Sequence, residues 1–375
     1  MMLFLTIFIS IYTAMHAVVF WGMHPLLKGH RALPTLTWIW MALMIVAPLL
    51  VRALEKGGYD FAARALAWVC FSWMGFLFLA FSVFVLVGAW HLLSLGLNRL
   101  GTPNLSIHGP ACSLVVALIV LGVGIYGMHE ATDLRVERVT LKSSKLPPGV
   151  ERVRIAHVSD LHLGLIHRDE TLAPVISCLL ELQPDVLVAT GDIVDAQIDH
   201  IESLNTLWQR VTPPLGKYAV MGNHEFYAGK EQALRFLRRS GFTLLRDRGV
   251  DVKGILRVVG VDDPAHGSNA QDQRELEVLQ RNRSECFTLL LKHRPRFTPQ
   301  SAALFDLQLS GHGHRGQIFP FNFLTALEYP YQDGLYPLPG GSNLYDSRGT
   351  GTWGPPMRVL APPEIALIEI VATGN

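Results

Sequence analysis

Leu307-Gln308-Leu309-Ser310-Gly311-His312-Gly313-His314 is the stretch on which the reading of this chain turns. A short apolar run reads as a buried strand, and it ends in two imidazoles two residues apart, each preceded by a glycine. Residues i and i+2 share a face of a strand, and in a glycine-loosened turn they can fan apart to serve two neighbouring metal ions. Two histidines cannot build such a site alone. Divalent cations also need carboxylates to bridge and neutralise them, so the rest of the chain must supply acids at comparable places.

Outward from that stretch, composition divides the 375 residues unevenly. Half of the chain is hydrophobic, and six Lys and Arg with three Asp and Glu precede Ala131, leaving 26 basic and 28 acidic residues for the remainder. The C-terminal part is therefore near neutral, and with no basic excess to neutralise a phosphate backbone, nucleic acid is not an expected partner. Four cysteines, Cys70, Cys112, Cys178 and Cys286, are scattered without a Cys-x-x-Cys pair and read as buried thiols.

Four apolar runs of the length that crosses a bilayer occupy the first third, near Met1 to Met23, Leu36 to Leu54, Ala65 to Leu95 and Pro110 to Met128. They predict an all-α transmembrane bundle over residues 1–130, with the bilayer as a partner and multi-pass placement in the cell membrane. Seven Lys and Arg (Arg52, Lys56, Arg64, Arg135, Arg138, Lys142, Lys145) flank the spans on the side of the soluble part, and three (Lys28, Arg31, Arg99) on the other. The positive-inside rule then puts the soluble part in the cytoplasm. His16 and His91 fall within or at the ends of spans without an acidic partner there, and read as structural groups.

Residues 131–152 read as a linker. From there to the C-terminus, at 153–375, a pattern recurs in which a β-branched run meets an abrupt cluster of Asp, Asn, His and Gly. Val153 to Val158 leads into Ser159-Asp160-Leu161-His162, and Asp185 to Thr190 into Gly191-Asp192-Ile193-Val194-Asp195. Lys217 to Met221 leads into Gly222-Asn223-His224-Glu225, and Phe287 to Leu291 into Lys292-His293-Arg294-Pro295. Ile255 to Gly260 and Ile365 to Val371 are further strands, and Asp262 and Asp263 read as turn and pocket-wall residues. Helices are expected near Thr171 to Leu182, Ile198 to Arg210, Lys230 to Arg239 and Gln271 to Arg281. Strands alternating with helices define an α/β layered architecture with ligands at strand ends. After Gln317 the helical signal fades into Pro, Gly and aromatic residues.

Two divalent ions about 3.5 to 4 Å apart need a bridging carboxylate and several oxygen and nitrogen donors. The strand ends offer Asp160, His162, Asp192, Asn223, His293, His312 and His314, whereas His157, His167, His200 and His266 lack this context. A lone His or Asp at a strand end is ordinarily a cap; seven in a strand-end series are a metal site.

In order, Asp-x-His, Gly-Asp-x-x-Asp, Gly-Asn-His-Glu, a later His and Gly-His-x-His resemble the calcineurin-like metallophosphoesterase superfamily from about Arg154 onward. The tail Asn343-Leu344-Tyr345-Asp346-Ser347-Arg348-Gly349-Thr350-Gly351-Thr352-Trp353, followed by Pro362-Pro363-Glu364-Ile365, resembles its bacterial membrane-anchored branch. The resemblance implies a β-sandwich flanked by helices and two divalent ions, for which such ligands suit manganese, iron or zinc alike. It assigns Asp160, His162 and His314 to one ion, Asn223, His293 and His312 to the other, and Asp192 to both. It also makes His224 a general acid and pairs it with Asp195.

Two departures shape the expectation. Asp195-Ala196-Gln197 stands where protein phosphatases of the superfamily have Asp-Arg-Gly, which disfavours a protein substrate. Arg315 replaces the first glycine that membrane-anchored relatives carry after Gly-His-x-His, and could grip a phosphate or face solvent. The expected activity is hydrolysis of a phosphoester or pyrophosphate bond, with a lipid-linked substrate such as UDP-diacylglucosamine in first place. The alternative, a non-catalytic membrane interaction module on the same fold, would tolerate lost ligands, and none is lost.

Overall fold

The computed structural model describes residues 2–195, 201–267 and 271–373. Two compact units divide the chain: Met1–His129 with Gly354–Val359, and Glu130–Trp353 with Leu360–Asn375.

In the first unit, α1 (Met2–Leu27), α2 (Leu33–Lys56), α3 (Asp60–Arg99) and α4 (Pro110–Glu130) contain the four apolar runs. All four are long and apolar enough to cross a membrane. A helix suits that solvent because every backbone group within it is satisfied inside the segment. His16 is satisfied within the helices, its Nδ1–H donating to the Tyr12 carbonyl at 2.8 Å and its Nε2 accepting from the Trp73 indole at 3.0 Å. His91 Nδ1 meets the Ser106 hydroxyl at 2.6 Å.

Among the described residues, the second unit contains twelve strands in two six-stranded sheets. In chain order they are β1 (Arg135–Ser143), β2 (Arg152–Val158), β3 (Val186–Ala189), β4 (Lys217–Ala219), β5 (Thr243–Leu244) and β6 (Arg248–Val252). They continue with β7 (Leu256–Val261), β8 (Phe287–Lys292), β9 (Leu307–Ser310), β10 (Gly334–Pro337), β11 (Asn343–Asp346) and β12 (Glu364–Ala372). One sheet runs β1-β12-β2-β3-β4-β5, the other β10-β11-β9-β8-β7-β6. The parallel strands β2, β3 and β4 form half of the first sheet, and β7, β8 and β9 half of the second.

Side-chain alternation explains how these short runs are buried on both faces. In β3, Val186 and Val188 join the core between the sheets, while Leu187 and Ala189 join the cluster outside it. That outer cluster takes in α5 (Asp169–Leu182), α6 (Asn205–Gln209) and α8 (Lys230–Arg239) through Leu172, Ile176, Trp208, Leu234 and Leu237. In β8, Leu289 and Leu291 face the inner core, and Leu290 packs with Val278 and Leu279 of α9 (Gln271–Arg281). The remaining helices are short: α7 (Asn223–Tyr227) and α10 (Asn322–Glu328).

Three stretches differ from the sequence reading. Residues 131–152, expected as a linker, carry β1, which pairs in parallel with β12 from Arg135 opposite Glu364 to Ser143 opposite Ala372. The helix expected from Ile198 begins outside the described residues, and its remainder is a 3₁₀ turn, Glu202–Leu204, followed by α6. A helix, α10, does form after Gln317.

Candidate metal centre

The loops after β2, β3, β4, β8 and β9 hold all seven of the donors grouped from sequence, so residues distant in the chain meet at the strand ends of both sheets. Backbone bonds register the first two loops: Asp160 N–H donates to the Gly191 carbonyl at 3.0 Å, and His162 N–H to the Asp192 carbonyl at 2.9 Å. Asp160, His162, Asp192, His312 and His314 all take φ between 48° and 73°. Non-glycine residues seldom adopt this left-handed conformation, and it concentrates where a surrounding structure holds side chains in place for chemistry. Gly311 is required by close approach, because a Cβ there would stand 2.2 Å from Asp160 Oδ2.

His162, Asp192 and His224 form one donor group, which overlaps two others. Asp160, His162 and His314 converge in one, with the Nε2 atoms of His162 and His314 facing each other at 3.1 Å and Asp160 Oδ1 3.5 Å from His314 Nε2. Asp192, His293 and His312 converge in the other, His312 Nδ1 lying 3.0 Å from His293 Nε2 and Asn223 Oδ1 3.2 Å from the same nitrogen. Between them lies Asp192 Oδ2, 3.1 Å from His293 Nε2 and 4.0 Å from His162 Nε2. The Thr190 carbonyl can only accept, so His293 Nδ1 carries a proton for it at 2.8 Å and Nε2 is turned inward.

The donor set fits a pair of divalent cations. Burial, aided by nearby His224, holds His162 down at about 3, and burial with His293 holds His312 well below its ordinary value, so both imidazoles are neutral, the form that binds metal. Burial also opposes charge on His293, but the Asp192 carboxylate outweighs it and holds that ring up at about 10. Burial would raise Asp192 as well, yet the same contact keeps its carboxyl well below the usual range. Buried acids here demand positive charge, and the neutral imidazoles of His162 and His312 offer lone pairs to a cation.

His224, which converges with His162 and Asp192, also has a partner of its own. Its Nδ1–H donates to Asp195 Oδ1 at 2.8 Å, leaving Nε2 free of that bond, and its backbone N–H donates to Asp192 Oδ1 at 2.8 Å. Burial lowers the ring's basicity, but the bond to Asp195 and the charge of Asp192 raise it to about 9. Trp353 and Tyr227 flank the ring edge-on, with centroids at 5.7 and 5.5 Å.

Two positioning groups escaped the sequence reading. Glu225 is fully buried, and its carboxylate accepts from four backbone N–H groups: Asp192 (2.9 Å), Ile193 (2.8 Å), Val194 (3.2 Å) and Gly222 (2.8 Å). It thereby fixes the loops carrying Asp192 and Asn223; only its place beside Asn223-His224 could have flagged it. Arg294 is held by buried Asp263 at 2.7 and 3.1 Å and reaches Tyr329, whose ring packs edge-on to His312 at 5.2 Å. Asp263 is thus taken up by Arg294, while Asp262 pairs with Arg246 at 2.6 Å. Arg315 binds Asp333 at 2.8 Å, a third arrangement beside the two expected of it. His157 is buried with Nε2 2.7 Å from the Thr190 hydroxyl, and His167 meets Thr171 and Thr352. His200 and the side chain of His266 lie outside the described residues, as do Ala196 and Gln197.

Comparison with known proteins agrees with this geometry. Residues 153–316 match the calcineurin-like phosphoesterase family. An uncharacterized metallophosphoesterase of Aquifex aeolicus is 39% identical over 261 residues, covering 68% of this chain and 99% of the relative. A Danio rerio transmembrane protein with metallophosphoesterase domain is 30% identical over 373 residues, covering 92% of this chain and 83% of the relative. Among solved structures, the Haemophilus influenzae NAD nucleotidase is similar at 15% identity and a TM-score of 0.36, over 54% of this chain and 46% of that one.

The chain belongs to the calcineurin-like metallophosphoesterase family. It is a metal-dependent phosphoester hydrolase, associated with membranes, whose fold calls for divalent metal ions.

Proposed function

We propose that this chain is a multi-pass membrane phosphoesterase or pyrophosphatase that hydrolyses a lipid-linked substrate at a pair of divalent ions, on the cytoplasmic face. Residues 1–130 would anchor it and 153–375 carry the chemistry, with β1 extending the catalytic sheet. The observation that carries the reading is Asp192, one carboxylate within 4.0 Å of both His162 and His293. Asp160, His162 and His314 would hold one ion, Asn223, His293 and His312 the other, and Asp192 both. The donors suit manganese, iron or zinc. Bound there, the ions would supply the acidity that activates water and the positive charge that offsets charge developing on the phosphoryl oxygens.

The chain's own part is positional and acid–base. Glu225 keeps Asp192 and the Asn223 turn in register, and the Thr190 carbonyl aims His293. Asp195 holds a proton on His224 Nδ1 and orients the ring, so that the proton on Nε2 can pass to the departing oxygen. Trp353 and Tyr227 limit how far the ring can tilt. A lipid-linked substrate such as UDP-diacylglucosamine is favoured by the four apolar helices, which keep the enzyme where such molecules reside.

A hydrolysis screen of the purified chain with manganese, over monoesters, diesters, nucleotide-linked lipids and phospholipids, tests the substrate class; turnover confined to water-soluble esters would overturn the lipid assignment. Asp192→Ala should abolish activity and lower bound metal, because one carboxylate neutralises both ions. Metal analysis finding two full equivalents in the inactive variant would overturn the bridging role.

A further inference from the structure

The catalytic unit exposes ten large apolar side chains among its described residues, and five of them fall within nine positions: Phe319, Phe321, Phe323, Leu324 and Leu327. Phe323 is 63% exposed and Leu327 83%. α10, which spans most of this stretch, is amphipathic in the reverse sense of an ordinary surface helix. Its polar positions, at spacing i, i+3, i+6, carry its hydrogen bonds to other segments, through the Asn322 backbone, the Thr325 hydroxyl and an exposed Glu328 pair. The Gln332 amide donates to the Asn322 carbonyl at 3.1 Å and to the Thr325 hydroxyl at 2.6 Å, and Glu328 pairs with Arg296. Phe323, Leu324 and Leu327 occupy the opposite stripe and face outward.

The stretch borders the metal centre. Gly316, two residues after His314, has φ +74° and approaches α10 so closely that a Cβ there would lie 2.3 Å from Asn322 N. Gln317 and Trp353 exchange hydrogen bonds at 3.0 and 2.8 Å, and the Trp353 ring, 54% exposed, lies beside His224. An apolar rim therefore runs from the general-acid position to Leu327.

A bilayer is at hand to cover it. Only residues 131–134 separate α4 from β1, a spacer of roughly 14 Å at full extension. Contiguous exposed apolar surface marks an interaction site, and aromatic and leucine side chains on one helix face are the composition that settles at the headgroup–acyl boundary.

We propose that Phe319–Leu327 is an interfacial anchor that rests in the bilayer crossed by the chain's own helices and turns the mouth of the metal centre toward the lipid surface. This holds whether or not the natural substrate is itself a lipid.

The test uses the full chain, one copy per nanodisc, with Leu324→Cys carrying a small fluorophore and the unaltered chain, labelled in parallel, as blank for the four native cysteines. Lipids bearing a nitroxide near the headgroup should quench the label by about half or more, while the same label at Lys253→Cys stays bright. Quenching no greater than at position 253 overturns the anchor. So does a label that is shielded only at high protein concentration in detergent and remains unquenched in the single-copy disc, which would mean a second copy covers the face. Phe323→Ser/Leu327→Ser should reduce the quenching several-fold yet turn over bis(p-nitrophenyl) phosphate within about twofold of the unaltered chain, since neither side chain touches the donors. Unchanged quenching in that variant also overturns the proposal. If the label is quenched but no lipid phosphoester is hydrolysed, the anchor stands and the lipid-substrate reading alone falls.

Discussion

His224 and Asp195 show how far a single pair can be read. The carboxylate accepts the Nδ1 proton, so the ring is an acid at neutral pH and loses its proton as the pH rises through about 9. Its raised value means that it adds stability below about pH 6.5, its ordinary pKa, and that this contribution is gone above about 9. For a natural alkoxide or phosphate leaving group, His224→Ala should cost about 100- to 10,000-fold in kcat with bound metal unchanged, and much less for an aryl ester whose phenolate needs no proton. Asp195→Asn should shift the alkaline fall in rate toward lower pH. Equal loss on both ester types, with metal retained, would remove His224 from the role of acid. The convergence of the seven donors was legible in the sequence because they cluster at strand ends, whereas the pairing of His224 with Asp195 came only from the family resemblance. Glu225 and Arg294 were not legible, because one serves backbone N–H groups and the other a carboxylate 31 positions away.

Elements were legible where pattern and packing agree. The runs that became β2, β3, β8 and β9 are buried on both faces, and an apolar run next to chemical residues announces that environment. β1 was hidden because Glu137 puts a charge on the face shared with Val139 and Leu141, acceptable on an edge strand paired only with β12. α10 was hidden because its apolar side chains face outward, against the pattern by which helices are recognised. A different dependence joins α9 to the metal centre: Lys292, next to His293, is fully buried and bound to Glu275 of α9 at 2.5 Å. Glu275→Ala would leave that ammonium buried and unpaired, costing about 3 to 5 kcal/mol, and should lower both the unfolding midpoint and the metal affinity. Glu275→Leu with Lys292→Met should recover the midpoint. A double variant as unstable as the single one would show that the pair does more than neutralise itself.

At the scale of the whole molecule, the two units differ in composition, and the sequence reading separated them except at Gly354–Val359, which belongs with the helical unit. Orientation is a statement about the flanking charges, seven against three. A cysteine introduced at Lys145, half exposed beside Asp306, should resist an impermeant thiol reagent in intact cells and react once the membrane is opened. Labelling in intact cells would reverse the assignment.

The pairing of β1 with β12 sets a timetable for synthesis. β1 follows α4 at once, but β12, the strand that separates it from β2, is made about 220 residues later, or roughly 10 to 45 s at ribosomal speeds. Through that interval the nascent chain holds two unmatched strand edges within reach of the membrane, a form open to chaperones and to misassembly. A chain ending before Glu364 should insert normally, yet leave a catalytic unit that proteases digest as fast as an unfolded one. Protease resistance equal to that of the full chain would mean that the sheet can close without β12.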